Sequence, residues 1–196
     1  MTQIGLYIHI PFCIKKCNYC DFNSYELLQL IPPYLEALKQ EIQSYGQKDT
    51  FTVRTVFIGG GTPTILDEKA LCTLIECLHS NFKIIPNGEF TIEANPGTLS
   101  RAKLKALKDV GVNRLSIGLQ AFQDRLLKIL GRIHTVREFE ENFFTAREVG
   151  FDNINVDTIF GLPQQTLEDH LETLQNLLKL SPEHISAYAL SIEEGT

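Results

Sequence analysis

Cys13, Cys17 and Cys20 fall in one short stretch, Cys13-Ile14-Lys15-Lys16-Cys17-Asn18-Tyr19-Cys20-Asp21-Phe22, at the spacing C-x3-C-x2-C. A zinc site wants four ligands, commonly one close pair matched by a second pair downstream, and no second pair follows. A disulfide framework wants an even number of cysteines in a small secreted chain, and the count here is five. Three thiolates on a short loop instead suit a cubane iron–sulfur cluster. Such clusters normally take four cysteines, so three leave one iron open to a small molecule that can receive an electron. The plain alternative is three unrelated thiols, although free cysteines are usually isolated and buried rather than grouped on a loop. Cys72 and Cys77 lie five residues apart in a helical pattern, point to different faces, and read as structural thiols.

Other residues with chemical potential stand singly. Gly59-Gly60-Gly61-Thr62-Pro63 is neither a Walker loop nor G-x-G-x-x-G; by itself it reads as a tight turn, or as a place where backbone can approach a ligand. Glu93 and Gln120 sit at the ends of apolar runs, where the ordinary reading is a solvated side chain. Arg132, in Leu130-Gly131-Arg132-Ile133-His134, reads by default as a surface arginine. Asp157, in Asn155-Val156-Asp157-Thr158-Ile159-Phe160-Gly161-Leu162-Pro163, reads as ending an apolar strand, and a carboxylate there is costly unless it is paired or liganded. Tyr7 and Tyr19 flank the cysteines, and a buried tyrosine hydroxyl needs a partner. His9, among apolar neighbours, reads as a satisfied core histidine.

The elements that must position these groups alternate. Apolar runs at 4–10, 51–58, 89–94, 112–119, 153–160 and 184–190 read as strands. Between them lie helical patterns. Pro32-Pro33 opens one that carries Leu35, Leu38, Ile42 and Tyr45 and stops at Gly46. Asp67 caps a second, with Leu71, Leu74, Ile75 and Leu78 as its face. Leu104, Leu107 and Val110 mark a third, ended by Gly111. Thr135 with Glu138, and Thr166 with Asp169, form capping boxes for two more. Their expected buried stripes are Phe139, Phe143, Ala146 and Val149, and Leu167, Leu171, Leu174 and Leu178. Six strands alternating with helices imply a parallel sheet with right-handed crossovers. The apolar runs predict that both sheet faces are covered. The cysteine loop, the glycine triplet, Glu93, Gln120 and Asp157 all fall at or just after strand C-termini. In a barrel those ends converge on one mouth, which favours a barrel over a doubly wound sheet.

At 196 residues the chain is long enough for one sizeable core. Its net charge is 18 − 24 = −6 with no basic run, which argues against nucleic-acid binding. Met1-Thr2-Gln3 lacks the basic start of a signal peptide, and no apolar run reaches membrane-spanning length. Free cysteines without a secretory signal point to a reducing cytoplasm.

The cysteine spacing, with the aromatic Tyr19 just before the last cysteine, resembles the signature of the radical S-adenosylmethionine (radical SAM) family. The string Leu6-Tyr7-Ile8-His9-Ile10-Pro11-Phe12-Cys13 is similar to one branch of it, which holds the oxygen-independent coproporphyrinogen III oxidases and the HemW haem chaperones. The resemblance covers nearly the whole chain. It implies an α/β fold, the six-stranded parallel partial (β/α)6 barrel of the radical SAM core, with residues 1–196 as one such domain. It also implies a [4Fe–4S] cluster on Cys13, Cys17 and Cys20, and SAM chelated at the open iron. Gly60, Gly61 and Thr62 match the motif at the methionine amino group, and Arg132 matches the residue at the carboxylate. Glu93, Gln120 and Tyr7 match SAM contacts, Tyr19 an aromatic near the adenine, and Asp157 a contact to the nucleoside.

The chemistry so implied is reductive cleavage of SAM to methionine and a 5′-deoxyadenosyl radical, with an unidentified electron donor. The implied partners are haem or a porphyrin, and haem-requiring membrane enzymes. The oxidases carry a further cysteine two positions after the last cluster cysteine; Phe22 stands there in this chain, the C-x-F pattern of HemW. Oxidative decarboxylation of porphyrinogen propionates is the alternative, and a plain iron–sulfur electron carrier is a third reading. Relatives continue into a C-terminal domain that holds the haem-ligating histidine, so the expectation is a radical SAM core lacking that domain.

Overall fold

The computed structural model describes residues 2–46 and 51–196. Six strands, β1 (Thr2–Ile10), β2 (Phe51–Gly60), β3 (Ile84–Ala94), β4 (Arg114–Gln120), β5 (Ile154–Phe160) and β6 (His184–Ala189), form one sheet. All neighbours are parallel and the spatial order is the sequence order, β1 to β6. The helices are α1 (Ile31–Gly46), α2 (Glu68–Asn81), α3 (Arg101–Asp109), α4 (Asp124–Ile129), α5 (Val136–Val149) and α6 (Leu167–Leu180). A doubly wound sheet reverses its strand order at a switch point. Here every crossover advances in one direction with one hand, so the helices gather on one face and the sheet curls as a partial barrel.

That topology corrects the expectation that both sheet faces are covered. The helix-facing positions, among them Ile8, Ile58, Ile92, Leu115, Ile117, Ile154 and Val156, are buried in the main core. The alternate positions point the other way and are largely polar: Tyr7, His9, Glu93, Ser116, Asn155 and Asp157. Register places Glu93 beside Ser116, Gly118 beside Asp157, and Asp157 beside Ser186. The strands looked continuously apolar because small and aromatic residues such as Gly59, Gly118 and Phe57 occupy several lumen positions.

Local signals match the helices well. Asp67 accepts from Ala70 N at 2.7 Å, and Leu71, Leu74, Ile75 and Leu78 are buried. Both capping boxes are formed, at Thr135/Glu138 and at Thr166/Asp169. Two stripes differ from expectation. On α1, Leu35, Leu38 and Ile42 are buried but Tyr45 is exposed. On α6 the buried residues are Thr173 and Leu177, while Leu167, Leu171 and Leu178 are exposed. Its rotation is fixed by Thr173 Oγ1, which accepts from Phe122 N at 3.1 Å and donates to the Asp169 carbonyl at 2.9 Å. A backbone partner thereby outweighs the leucine stripe. Strand β3 begins five residues before the expected Glu89, across a register shift against β2. The six-residue helix α4 was not foreseen; it builds a second, smaller core of Ala121, Leu126, Leu127, Leu130, Ile159 and Leu162. Among the described residues no helix is long and apolar enough to cross a membrane.

The capping box of α5 leads to a stability prediction. Thr135→Ala removes the side-chain acceptor for Glu138 N, 3.2 Å away, and should cost about 1 kcal/mol. Urea unfolding should show a lower midpoint at an unchanged slope; an unmoved midpoint would mean that the cap contributes nothing.

Candidate functional site

The cysteine loop leaves β1 at Pro11 and lies across the C-terminal end of β2. Gly61 N donates to the Ile10 carbonyl at 2.9 Å and Thr62 N to the Phe12 carbonyl at 2.8 Å. On its other side Cys13 N donates to the Tyr25 carbonyl at 3.0 Å, and His9 Nε2 lies 2.8 Å from the Asn23 carbonyl. The far end is tied to α4, where Asn18 N donates to the Leu130 carbonyl at 3.0 Å and Asn18 Nδ2 to that of Ile129 at 2.9 Å. Three elements therefore fix where the thiols point.

The glycine triplet has a structural use that its sequence did not reveal. A Cβ at residue 61 would stand 2.6 Å from the Phe12 carbonyl oxygen and 3.0 Å from Cys13 Sγ; one at residue 60, where φ is +119°, would strike the His9 ring at 2.7 Å. The amides of residues 60 to 62 are spent on Glu93 Oε2, Ile10 and Phe12. A ligand ammonium donates hydrogens, so the carbonyls of this segment, rather than its amides, are what such a group would use.

One cavity of about 110 Å3 is lined by Cys13, Cys17, Cys20, Tyr19, Gly60, Gly61, Thr62, Glu93, Gln120, Arg132 and Asp157. It brings together every candidate residue except Tyr7. Tyr7 stands deeper on β1 and is exposed; its hydroxyl lies 2.9 Å from His9 Nδ1 and its ring stacks on Phe57. Burial, and then the negative charge of Glu93, raise the Tyr7 hydroxyl. His9 is half-buried with both ring nitrogens partnered, as expected of a structural histidine. A second cavity of about 450 Å3 shares Tyr19, Cys20, Phe22, Glu93, Gln120 and Asp157 with the first. Phe22, 64% exposed, forms the rim where the two meet.

Each charged group at the mouth has a distinct environment. Arg132 is half-buried; Nη2 donates to the Gly118 carbonyl at 2.6 Å and to Asn95 Oδ1, and Nη1 to Cys17 Sγ at 3.6 Å. Its Nε is buried without a partner. Asp157 is paired: Asn155 Nδ2 donates to Oδ1 at 2.8 Å and Ser116 Oγ to Oδ2 at 3.2 Å. Glu93 accepts from Gly60 N at 2.9 Å, yet burial, aided by Asp157, raises its carboxyl to about 7. Burial also raises the Cys13 thiol, opposed by the Thr62 hydroxyl 3.6 Å away. Tyr19 is packed against the smaller core and its hydroxyl is pushed up by burial, against the pull of Arg132.

Gln120 has φ +75°, the left-handed region that non-glycine residues rarely enter, at a register shift between β4 and β5. The bulge turns its side chain into the cavity. A Cβ at Gly118 would stand 2.8 Å from Gln120 Nε2 and 3.1 Å from Arg132 Nη2. Gly118, Asn95 and Asn18 were not anticipated; of these, only Gly118 had a signal, as a lone glycine inside an apolar strand. His134, also unforeseen, is buried with no partner in hydrogen-bond geometry at either ring nitrogen. Burial, and then Arg132, push it down to about 3, while an imperfectly aligned contact with the Leu119 backbone acts least, so the ring is neutral. Cys72 and Cys77 are half-buried on α2, away from this mouth.

Among the described residues no three His, Cys, Asp or Glu side chains converge on a single metal ion. Thiols that each bind a different iron of a cluster have no need to meet at one point.

Comparisons with known proteins agree with this geometry. The family model for the radical SAM superfamily matches residues 7–177. The chain is 48% identical over 197 residues to the Heme chaperone HemW of Bacillus subtilis, covering 97% of this chain and 51% of that one. It is 40% identical over 201 residues to the Heme chaperone HemW of Escherichia coli, covering 100% and 53%. The chain thus spans about half the length of the curated relatives it matches. The structure of the radical SAM coproporphyrinogen III oxidase HemN from Escherichia coli superposes with a TM-score of 0.90 at 33% identity, over 97% of this chain and 44% of that one. Methylornithine synthase, with a TM-score of 0.68 at 15% identity, shares the fold.

Glu93 supplies a pH signature for the ligand-free protein. Between 4.5 and about 7 the folded state keeps a proton that the unfolded chain has lost, so stability from this group falls as pH rises through that window. Glu93→Gln keeps an oxygen for Gly60 N and removes the titration. Its stability relative to wild type should rise between pH 4.5 and 7 by about 1–2 kcal/mol, allowing for solvent at the open mouth. A difference independent of pH in paired denaturation curves would place the raised carboxyl elsewhere.

Proposed function

This chain belongs to the radical SAM superfamily, and from that premise we propose that Cys13, Cys17 and Cys20 ligate a [4Fe–4S] cluster whose neighbouring cavity binds SAM. The observation that carries the reading is the convergence of all the candidates except Tyr7 on one cavity. The donor set fits the group: thiolates are soft ligands suited to iron–sulfur clusters, and the buried Arg132 Nε is a donor awaiting an acceptor.

When bound, the cluster supplies an electron to SAM. The protein's own residues do the rest. Arg132 stands as a fixed cation for the methionine carboxylate, its Nη2 anchored on both Asn95 and Gly118. Glu93, whose proton is loosely held near neutral pH, gives it up when an ammonium approaches and becomes the acceptor for that group. Asp157, oriented by Asn155 and Ser116, keeps lone pairs for ribose hydroxyls. Gln120 places an amide within the same cavity, and Tyr19 supplies an aromatic wall.

We further propose that the protein handles haem, as a chaperone that binds it and delivers it to haem-requiring membrane proteins, with the likeness to the two HemW proteins as support. Phe22 on the cavity rim, where the oxidase pattern calls for a cysteine, favours this reading. Oxidation of coproporphyrinogen III is the second reading and draws on the likeness to the Escherichia coli oxidase. Residues 1–196 act as one radical SAM core, and a reducing cytoplasm suits its thiols.

Anaerobic reconstitution with iron and sulfide, followed by EPR of the reduced protein with and without SAM, tests the reading. A four-iron signal that shifts on adding SAM is expected; a signal indifferent to SAM would leave an iron–sulfur electron carrier. Haem titration and coproporphyrinogen turnover then separate the chaperone from the oxidase. Cys17→Ala should lose the cluster iron while circular dichroism remains that of the folded protein; stoichiometric iron in that variant would remove Cys17 from the ligand set. Arg132→Ala should weaken SAM binding by about 10–100-fold, the range for a hydrogen bond between charged groups, at unchanged iron content. Equal affinity would return the arginine to a structural role.

A further inference from the structure

Two of the three cysteine sulfurs face side-chain donors that one and the same residue holds; the Ser24 hydroxyl acts on Cys13 as well. Thr62 Oγ1 lies 3.6 Å from Cys13 Sγ, and Arg132 Nη1 lies 3.6 Å from Cys17 Sγ. Asn95, just beyond β3, stands between them: Nδ2 is 2.9 Å from Thr62 Oγ1, and Oδ1 accepts from Arg132 Nη2.

The direction of every bond in this chain is forced. A guanidinium can only donate, so it must face the amide oxygen of Asn95 rather than its nitrogen. The amide nitrogen is thereby turned to Thr62 and occupies a lone pair of its oxygen. The single hydroxyl hydrogen of Thr62 is left for the Cys13 sulfur. Asn95 is itself fixed from behind: Thr98 Oγ1 donates to its carbonyl at 2.6 Å, and the buried Lys103 Nζ holds the Thr98 and Thr64 carbonyls at 3.0 and 2.7 Å. Gly118 leaves room for the cluster of polar ends, with Asn95 Oδ1 3.3 Å from where its Cβ would be.

We propose that Asn95 is a positioning residue that sets the reduction potential of the cluster, by aiming the Thr62 hydroxyl and the Arg132 guanidinium at the sulfurs of Cys13 and Cys17. The inference rests on the cluster reading above. Reduction adds one negative charge, shared by the cluster and its sulfurs. Donors and a cation at those sulfurs stabilise the reduced form and raise its potential. Without Asn95 the Thr62 hydrogen is free to turn toward any acceptor, and Arg132 keeps only the Gly118 carbonyl to hold Nη1 near Cys17.

The test is the midpoint potential of the reconstituted cluster, followed by EPR against a mediated electrode without SAM. Asn95→Ala, with full iron content, should be reduced to an extent about tenfold lower at a fixed poise, ~59 mV more negative for a one-electron couple. Thr62→Val should give part of that shift and Thr62→Ser none. The double variant Asn95→Ala/Thr62→Val should fall no further than Asn95→Ala alone, because the threonine acts through the asparagine. A merely structural Asn95 would change stability and leave the potential in place. Full iron with an unmoved potential in Asn95→Ala overturns this inference alone. If Asn95→Ala fails to hold iron, an unmoved potential in Thr62→Val overturns it. Wild-type protein that takes up no cluster overturns the cluster reading first and this inference with it.

Discussion

The structure depends on a contact between two backbones. The loop that carries the cysteines is held against the end of β2 by Gly61 N on Ile10 and Thr62 N on Phe12. A side chain at position 61 would drive the Phe12 carbonyl and Cys13 sulfur away, so the approach is available only to glycine. Once the loop is there, the cysteines stand over the sheet's C-terminal edge, where parallel strands deliver their last side chains. Glu93 and Gln120 reach the same cavity from the C-terminal ends of β3 and β4, and Asp157 reaches it from the lumen face in the middle of β5. The partial barrel is the means of making six strand ends converge, and the glycine triplet is what lets the cysteine loop join them.

The same convergence stores unfavourable terms. Glu93 is held closer to neutrality than an exposed carboxyl, the Cys13 thiol is raised by burial, and Arg132 Nε is buried without a partner. Gln120 adds a left-handed backbone conformation worth on the order of 1–2 kcal/mol. None of these helps the ligand-free fold, and the three at Glu93, Cys13 and Arg132 would be relieved by groups of the right charge: a cation near Glu93, a metal at the thiol and an anion at the guanidinium. They are supported elsewhere by ordinary means, including two capping boxes, a large core and the Arg147 clamp on Phe151, Ser181 and Glu183. A site so arranged gains stability on loading, because whatever binds only the native state shifts folding toward it.

What the sequence made legible follows the range of each interaction. Helix caps and stops are local, and Asp67, Thr135 and Thr166 act where their side-chain types predict. Most strand ends were legible because unusual residues follow the apolar runs there, but Asp157, expected to end a strand, lies in the middle of β5, its side chain turned to the lumen by the strand's alternation. The faces of β-strands and of α6 were less so, since they are decided by distant partners: the lumen face by the direction of the crossovers, and the α6 face by the bond from Phe122 N to Thr173. The hydrogen-bond partners of the site were hardest to see. Asn18 and Asn95 carry no local mark, and their roles exist only after α4 and β3 have been brought to the cysteine loop.

The two cavities also bear on how one barrel serves different chemistries. Their shared wall runs from the cysteine loop to Asp157, and the smaller space is bounded by that loop and by lumen residues of β3, β4 and β5. The larger space is bounded in addition by Phe57, Ile159, Tyr188 and Leu190, while Phe22 lines both. Phe57 and Tyr188 lie on strands at opposite sides of the sheet, β2 and β6, and Phe22 closes the rim between them. These apolar and aromatic side chains share the cavity with Glu93, Arg114, Ser116, Asn155 and Asp157, so a ligand there would meet both kinds of surface. Chemistry on such a ligand needs in addition a polar group aimed at the reacting atom, and at position 22 the chain presents a phenyl ring that can neither donate a proton nor bind a metal.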